Sequence, residues 1–562
     1  MRFSTLLLML IAFGTTVPIP DEYPNDPNMH LIHNVTGYTL QADTLRNFDA
    51  MVFRNGKVVA IGTYKDLQSK YSEAVKIDGK GKILLPGLID AHGHVLALGY
   101  SRLDVDLVGT RSLQEALDRV KKYSENYEDL PWIRGGGWNQ ELWPDEAFPT
   151  AKELDAVESD RPVWLTRVDG HAGWANSVAL KRAGVNRNTD DPHGGKILRD
   201  AEGNPTGILV DAAMSLVEKV IPRRTESEDS IALEKSMENL REVGLTSVGD
   251  AGISGETWNL YKKFAAEGKI TTRIYAMILG TDADFDSLSA NGPVTGYDND
   301  LLALRSVKLF EDGALGSRGA ALLKPYSDDP GNSGLLFHDQ ESLNRMVLKA
   351  AGKGYQVNIH AIGDRANRVV LNAFEMAFKK YGDQGLRNRI EHAQIVNPAD
   401  IPRFRKLDVI ASMQPTHATS DKNMAEERIG KERMKGAYAW QTFEQQGTVV
   451  AGGSDFPVES PNPFLGFYAA VSRMDTTGHP DGGWYPDEKL TRMQAFRSFT
   501  LDAAYAAHQE DVIGSLEPGK WADFILVDTD YFKAPVEQIW KTKVLETWLA
   551  GKKVYDADTT NL

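Results

Sequence analysis

The chain contains no cysteine among its 562 residues. This one absence excludes disulfide bonds, thiolate metal ligands and a cysteine nucleophile. Any metal ion in this protein must therefore be bound through nitrogen and oxygen atoms.

Basic residues are in the minority, since 63 Lys and Arg stand against 78 Asp and Glu and give a net charge of −15. This sign argues against nucleic acid or an anionic membrane as a partner. An ordinary acidic surface that keeps the protein in solution explains the charge equally well. The 42% hydrophobic content is sufficient for a large core, and the length exceeds that of one typical domain.

The N-terminus has only a short apolar run, at residues 6–14, which follows a single arginine. This is the layout of a secretory signal, and it falls short of the about 20 apolar residues that span a bilayer. The single positive charge and the lack of an Ala-x-Ala cleavage site leave a disordered cytosolic extension as the alternative. We expect residues 1–20 to be a signal peptide and the mature protein to be periplasmic or secreted, without membrane attachment. The alternative location is cytoplasmic.

A pair of histidines ends the apolar run LLPGLIDAHGHVLALG at residues 84–99. On a strand, residues i and i+2 share a face, so His92 and His94 point the same way. Neutral imidazole is the commonest metal ligand. A His-x-His sequence alone is weak evidence, and the other candidates must decide the question.

Apolar runs bounded by turn residues recur eight times, mostly separated by helix-like stretches such as residues 367–382. Eight parallel strands that alternate with helices are typical of the (β/α)8 TIM barrel, an α/β fold whose chemistry lies at the C-terminal strand ends. We therefore predict this barrel. Its strands are expected within residues 83–94, 245–252, 272–280, 306–314, 355–364, 389–396, 409–418 and 448–458.

The candidate metal ligands fall on these strands, most of them at the ends. They are His92 and His94 on strand 1, Lys308 on strand 4, His360 on strand 5, His392 on strand 6, His417 on strand 7 and Asp455 on strand 8. Chance placement would scatter histidines over loops and outer helices, whereas five of the twelve converge on one rim. The sequence therefore predicts a metal site there.

Several longer motifs carry a family resemblance, which extends from about residue 30 to the C-terminus. They are GGGWNQELWP (135–144), RVDGHAGWANSVAL (167–180), VKLFEDGALGSRGAAL (307–322), NIHAIGDRA (358–366), RIEHAQIV (389–396), GGSDFPVESPNPF (452–464) and GSLEPGKWADFILVD (514–528). With these motifs the chain resembles the amidohydrolase superfamily of metal-dependent hydrolases. Within it, the chain is most similar to the amidohydrolase family 3 or YtcJ-like branch, which includes N-substituted formamide deformylases.

The resemblance implies a set of metal ligands. They are His92, His94, Lys308, His360, His392 and Asp455, with none of the expected positions missing. In binuclear relatives the lysine is carboxylated and bridges two ions, so we expect one or two divalent ions, zinc by preference, with two favoured. The alternative for Lys308 is an ion pair with Asp312 or Glu311.

The resemblance also implies a mechanism, with Asp455 and His392 as the predicted catalytic residues. A hydroxide activated by the metal attacks a carbonyl, and Asp455 passes the proton to the departing amine. The expected substrate is a small molecule with a carbon–nitrogen bond other than a peptide bond, such as a linear amide. The alternatives are hydrolysis of a cyclic amide, a carbamate or an ester, deamination, and a binding protein without catalysis.

The rest of the chain is expected to surround the barrel. Residues 30–83 and 514–562 alternate in the manner of strands and are predicted to form one composite β-sandwich. Barrel strand 1 is assigned to residues 84–99 and the remaining barrel to residues 241–513. The segment at residues 100–240 is too long to be an ordinary connection between two barrel strands. It is predicted to be an α+β insertion that caps the active site.

Four residues are predicted to contact substrate, and an alternative stands beside three of them. His171 lies in a polar, glycine-flanked motif, and Trp138 either contacts substrate or belongs to the core of the insertion. Arg318 either binds a substrate carboxylate or pairs with Asp312. His417 either donates a hydrogen bond to substrate or is a structural loop histidine. A homodimer is possible.

Overall fold

The computed structural model describes residues 28–41, 44–128 and 130–560. The predicted signal peptide at residues 1–20 lies outside these ranges. Within them, no helix combines the length and the apolar character that a membrane span requires.

Eight parallel strands form the centre of the molecule as a nearly closed barrel. Buried residues occupy almost every position along them, as expected for parallel strands that are covered on both faces. We number them barrel strands 1 to 8 in chain order. They are Leu88–Gly93, Leu245–Ile253, Arg273–Leu279, Leu302–Phe310, Gln356–Ala361, Arg389–His392, Ile410–Met413 and Val450–Gly452.

Neighbouring barrel strands pair in parallel from strand 1 to strand 8, and a short strand, Val294–Gly296, adds an antiparallel pair to strand 4. The seam between strands 8 and 1 has no continuous ladder within the described residues. A single parallel bridge between Gly93 and Phe456 crosses it. The carboxylate of Asp90 reinforces the seam, because it accepts the backbone N–H of His92 on one side and that of Ser454 on the other.

Both ends of the chain contribute to one terminal sheet of seven strands. In spatial order these are Lys552–Asp556, Val544–Leu549, Phe524–Val527, Val75–Pro86, Met29–Gln41, Thr44–Arg54 and Lys57–Gly62. A buried ion pair between Arg273 at the start of barrel strand 3 and Asp523 connects this sheet to the barrel. The further prediction of a two-layered sandwich stays a prediction.

The segment between barrel strands 1 and 2 forms its own six-stranded sheet, which we call the insertion sheet. It has a separate core that includes Trp138, Trp143 and Trp174. Its strands, in spatial order, are Gly195–Arg199, Pro205–Asp211, Ala172–Ala175, Val163–Arg167, Ile133–Trp138 and Val105–Asp106.

Helices cover the barrel and the insertion sheet. Glu226–Glu242, for example, begins with a capping box of Thr225 and Glu228, and its buried residues recur at helical spacing. The α-helices are Tyr64–Lys70, Val95–Ser101, Leu113–Asn126, Ala151–Asp155, Ser177–Ala183, Ser215–Glu218, Glu226–Glu242, Gly255–Ala266, Ala283–Leu288, Tyr297–Asp300, Gln340–Ala351, Asp364–Tyr381, Ile401–Lys406, Pro415–Asp421, Ala425–Ile429, Trp440–Gln445, Pro463–Ser472, Arg492–Ser498, Leu501–Ala506 and Ala557–Thr560. Short 3-10 helices occur at Gln140–Leu142, Ala212–Met214, Arg433–Gly436, Pro486–Glu488 and Val536–Lys541.

Candidate metal centre

The two histidines of the His-Gly-His sequence lie together at the C-terminal end of barrel strand 1. Their ring centroids are 5.5 Å apart with an interplanar angle of 83°. His92 is fully buried, whereas 30% of the His94 side chain is exposed to the cleft. Gly93 permits the close approach of strand 8, because a Cβ atom there would lie 2.2 Å from the ring of Phe456.

Asp455 follows barrel strand 8 and faces histidines from both sides of the rim. Its Oδ1 atom lies 3.4 Å from Nε2 of His92 and 3.1 Å from Nε2 of His94. Its Oδ2 atom lies 3.8 Å from Nε2 of His417. Asp455 therefore belongs to two groups of possible metal ligands, His92–His94–Asp455 and His392–His417–Asp455. Within each group, the possible ligand atoms all lie within 4.8 Å of one another.

His360 and His392 continue the cluster from barrel strands 5 and 6. Their ring centroids are 4.6 Å apart, and that of His392 lies 4.9 Å from His92. The structure thus brings all the predicted histidine ligands to one site. It also places His417 against His392, with stacked rings 5.8 Å apart, where it could serve either as a metal ligand or as a substrate contact.

Lys308 lies fully buried between these histidines and donates a hydrogen bond of 3.1 Å from Nζ to Nε2 of His92. Burial lowers its pKa to about 8. Glu311 and Asp312, the acidic residues considered as ion-pair partners of Lys308, contact other groups. Glu311 lies 3.3 Å from His338, and Asp312 accepts backbone N–H groups, including that of Ile362.

The donor atoms fit a divalent metal ion. Burial lowers the pKa of His92, His360 and His392, which favours the neutral imidazole that binds metals. Nε2 of His360 and Oδ1 of Asp455 are buried without a hydrogen-bond partner among the described residues. A buried polar atom without a partner is costly, and binding of a cation at each of these atoms would offset that cost.

Two side chains that the sequence reasoning missed orient the ligands from behind. Glu391 lies 2.5 Å from Nδ1 of His92, and Gln414 lies 2.8 Å from Nδ1 of His392. Such partners fix the tautomer and direct the Nε2 lone pair into the site. The one sequence signal for Glu391 was a charged residue inside a fully buried strand, directly before a predicted ligand.

The insertion reaches this cluster through His171. Its ring centroid lies 5.1 Å from that of His360, and its Nδ1 atom lies 2.7 Å from Oδ1 of Asp211. Burial would lower the pKa of His171, but the hydrogen bond and charge of Asp211 outweigh burial and raise it. Asp211 was not singled out from the sequence, because it lies 40 residues from His171.

The other two predicted substrate contacts lie in different surroundings. Trp138 is fully buried in the core of the insertion, and its indole N–H donates to the carbonyl of Leu165 at 2.8 Å. This position matches the alternative that Trp138 is a core residue. Arg318 forms an ion pair of 2.9 Å with Asp328, and Asp312, the alternative partner, accepts hydrogen bonds from backbone amides instead.

A cluster of imidazoles around one carboxylate, at the C-terminal end of a parallel barrel, provides what a metal-dependent hydrolase requires. A sequence model of the amidohydrolase family matches residues 76–555, and the chain belongs to this family.

Comparison with known proteins agrees with this assignment. The chain is 33% identical over 520 residues to a putative amidohydrolase, YtcJ, of Bacillus subtilis, which covers 90% of this chain and 96% of that protein. It is 36% identical over 539 residues to Protein LONG AFTER FAR-RED 3 of Arabidopsis thaliana, covering 93% and 91%. An uncharacterized metal-dependent hydrolase from Pyrococcus horikoshii has a similar crystal structure, with a TM-score of 0.74 and 31% identity over 90% of this chain and 99% of that one.

Proposed function

We propose that this hydrolase cleaves a carbon–nitrogen bond other than a peptide bond, in a small linear amide. The observation that carries the proposal is the position of Asp455, whose two carboxylate oxygens face histidines on opposite sides of the cleft. A relative supports the choice of bond. The chain is 27% identical over 520 residues to a protein named N-substituted formamide deformylase from Arthrobacter pascens, across 90% of this chain and 95% of that protein.

Metal ions would be held by the residues already described. His92, His94 and Asp455 would bind one ion and His360 and His392 the other, with a carboxylated Lys308 between them, and zinc suits this ligand set. When bound, the ions supply a Lewis acid for the carbonyl oxygen and lower the pKa of water. The unpartnered Nε2 of His360 and Oδ1 of Asp455 support this assignment.

Asp455 is proposed to move the proton. Its carboxylate accepts a proton from the attacking water and returns it to the departing nitrogen, which is otherwise too basic to leave. Nε2 of His94 lies 3.1 Å from Oδ1 of Asp455 and favours the ionised carboxylate before reaction, because it lowers the pKa of Asp455 against the opposing effect of burial. His392 holds its place through Gln414 and is proposed to orient the reacting groups.

The insertion and the rim complete the substrate site in this proposal. His171 and His417 both face the cluster, and their positions support contact with substrate. Arg318 and Trp138 have less support, because each side chain already has a partner. Export of the mature protein and a homodimer stay predictions of the sequence.

A substrate panel with metal analysis tests the proposal. N-formyl amines, N-acyl amino acids, hydantoins and carbamates are offered to protein purified without chelator. We expect turnover of linear amides, about one to two ions per chain, loss of activity in chelator, and recovery with zinc, manganese or cobalt. Turnover confined to hydantoins or carbamates would favour the alternative substrates. Full activity in strong chelator, without bound metal, would overturn the proposed mechanism.

A further inference from the structure

The side chain of Asp211 is completely buried, and His171 is the one side chain that forms a hydrogen bond with it among the described residues. Asp211 ends the insertion strand Pro205–Asp211, and its side chain has no exposed surface. Within the described residues, Oδ1 is hydrogen bonded to Nδ1 of His171 at 2.7 Å, whereas Oδ2 is buried without a partner. A buried carboxylate needs a partner that offsets its loss of hydration, and here that partner is an imidazole.

The backbone of Asp211 is strained. Its φ of 49° and ψ of −125° lie outside the regions that residues other than glycine favour. Such conformations cost on the order of 1–3 kcal/mol and persist where the surrounding structure enforces them, often at functional sites. The same residue donates its backbone N–H to the carbonyl of His171 at 3.0 Å, so backbone and side chain both bind His171.

The loop after barrel strand 4 is shaped around this carboxylate. A Cβ atom at Gly313 would lie 2.7 Å from both carboxylate oxygens of Asp211, and one at Gly319 would lie 2.5 Å from Oδ2. Both glycines belong to the GALGSRG stretch of the sequence. The absence of side chains at Gly313 and Gly319 thus leaves space in the barrel loop for the Asp211 carboxylate. The carboxylate is held between this loop and His171.

The His171–Asp211 pair faces the candidate metal centre. With Nδ1 of His171 hydrogen bonded to Asp211, the ring nitrogen left for the cleft is Nε2. The ring lies 5.1 Å from that of His360, and 14% of the His171 side chain is exposed. A group in this position is within reach of a substrate whose carbonyl lies over the metal ligands.

We infer that His171 and Asp211 form a catalytic dyad carried by the insertion, in which His171 donates a hydrogen bond from Nε2 to the oxygen of the scissile carbonyl. Asp211 is the positioning residue, because its carboxylate accepts the hydrogen bond of Nδ1 and holds the ring with Nε2 toward the cleft. The inference rests on the proposed function. If the inference holds, the insertion contributes a residue to the reaction and does more than cover the site.

Three substitutions separate this role from a structural one. His171→Asn keeps an amide N–H near the position of Nδ1, so the buried Asp211 retains a donor while the Nε2 edge is removed. Asp211→Asn keeps the shape but removes the charge. His193→Ala, at an exposed histidine of the same insertion, is the matched control.

We expect His171→Asn to keep its metal content and KM while kcat falls by about 10²- to 10³-fold, the usual loss for one oxyanion donor. Asp211→Asn should lower kcat less, and it should have no further effect in the His171→Asn background. His193→Ala should resemble the wild type. A wild-type kcat in His171→Asn would overturn the inference. An equal effect of Asp211→Asn in both backgrounds would show that Asp211 has a structural role and would overturn the dyad.

Two measurements do not depend on turnover. In proton NMR of the metal-loaded protein with 15N-labelled histidine, the Nδ1–H of His171 should give a low-field signal that Asp211→Asn removes. A phosphonate analogue of a tetrahedral amide adduct should bind about 10²-fold more weakly to His171→Asn. If the wild type hydrolyses no amide, the proposed function fails while these readouts still decide the dyad. If amides are hydrolysed but both readouts are unchanged in the variants, the dyad alone fails.

Discussion

The carboxylate of Glu391 accepts a hydrogen bond of 2.5 Å from Nδ1 of His92, and both side chains are fully buried. Glu391 is itself held by Arg389, whose guanidinium donates to the same Oε2 atom at 3.0 Å. Lys308 donates to the other nitrogen of His92. The imidazole is therefore fixed in one tautomer and one orientation, with the Nε2 lone pair directed to the centre of the site.

Substitution of Glu391 should lower the metal affinity of the site although it replaces none of the proposed ligands. Glu391→Gln keeps the size but gives up the charge that supports the Nδ1 proton. We expect metal affinity or activity to fall by about 10- to 100-fold, as is usual for partners behind a ligand. Competition with a chromophoric chelator measures the affinity, and Glu427→Gln at an exposed position is the control. Unchanged affinity and unchanged kcat would show that His92 needs no orientation from Glu391.

Lys308 should decide how many ions are bound. A carboxylated lysine is an anionic bridge, and arginine cannot replace it, so Lys308→Arg should reduce the content from about two ions to about one. Lys308→Ala should lose the same ion and most of the activity, with partial rescue by a short-chain carboxylic acid and bicarbonate. Metal analysis and a 13C signal from labelled bicarbonate provide the measurements. Retention of both ions in Lys308→Arg would favour a simple cationic role.

Proton transfer and metal binding can be separated at Asp455. Asp455→Asn keeps an oxygen that can approach a metal but cannot accept a proton. We expect near-normal metal content with kcat lower by about 10² to 10⁴, the usual contribution of a positioned general acid–base. Substrates with less basic leaving groups should lose less, since they need less protonation on departure. Wild-type turnover of amides by this variant would remove Asp455 from the mechanism.

The barrel and the convergence of the candidate ligands on one rim could be predicted because their signals are local. Each barrel strand is a buried run of a few residues, and His92, His360 and Asp455 follow from their positions at the ends of such runs. No comparable local signal exists for a partner such as Asp211, since register and packing of a separate sheet bring it to His171.

The pairing of Arg318 illustrates the same limit. From the sequence, Asp312, only six residues away, and a substrate carboxylate were equal alternatives as its partner. In the folded protein, Asp312 accepts backbone N–H groups from Ala321 and Gly363 because the loop folds back over barrel strand 5, and Arg318 turns to Asp328. Backbone amides compete for a buried carboxylate, and that competition is decided only by the tertiary structure.

The contact that holds the insertion against the rim provides the last prediction. Arg428 lies in the helix Ala425–Ile429, after barrel strand 7, and is hydrogen bonded to Glu141 of the insertion at 2.7 Å and to Asp328 at 2.5 Å. The side chains of Arg428 and Glu141 are only 6% and 11% exposed. Removal of the arginine therefore leaves Glu141 without its cation in a poorly solvated place, whereas Asp328 keeps its ion pair with Arg318.

We expect Arg428→Ala to lower the free energy of local opening at residues 139–143 by about 3 kcal/mol, toward the lower end for a broken buried pair because Asp328 is partly solvated. Hydrogen exchange read by mass spectrometry measures this opening. The value of kcat should fall with it, since His171 belongs to the same insertion. The control is Arg345→Ala, which removes an exposed pair with Glu341 and should change stability by less than about 1 kcal/mol. Equal exchange at residues 139–143 in both variants would mean that packing, rather than this ion pair, holds the insertion in place.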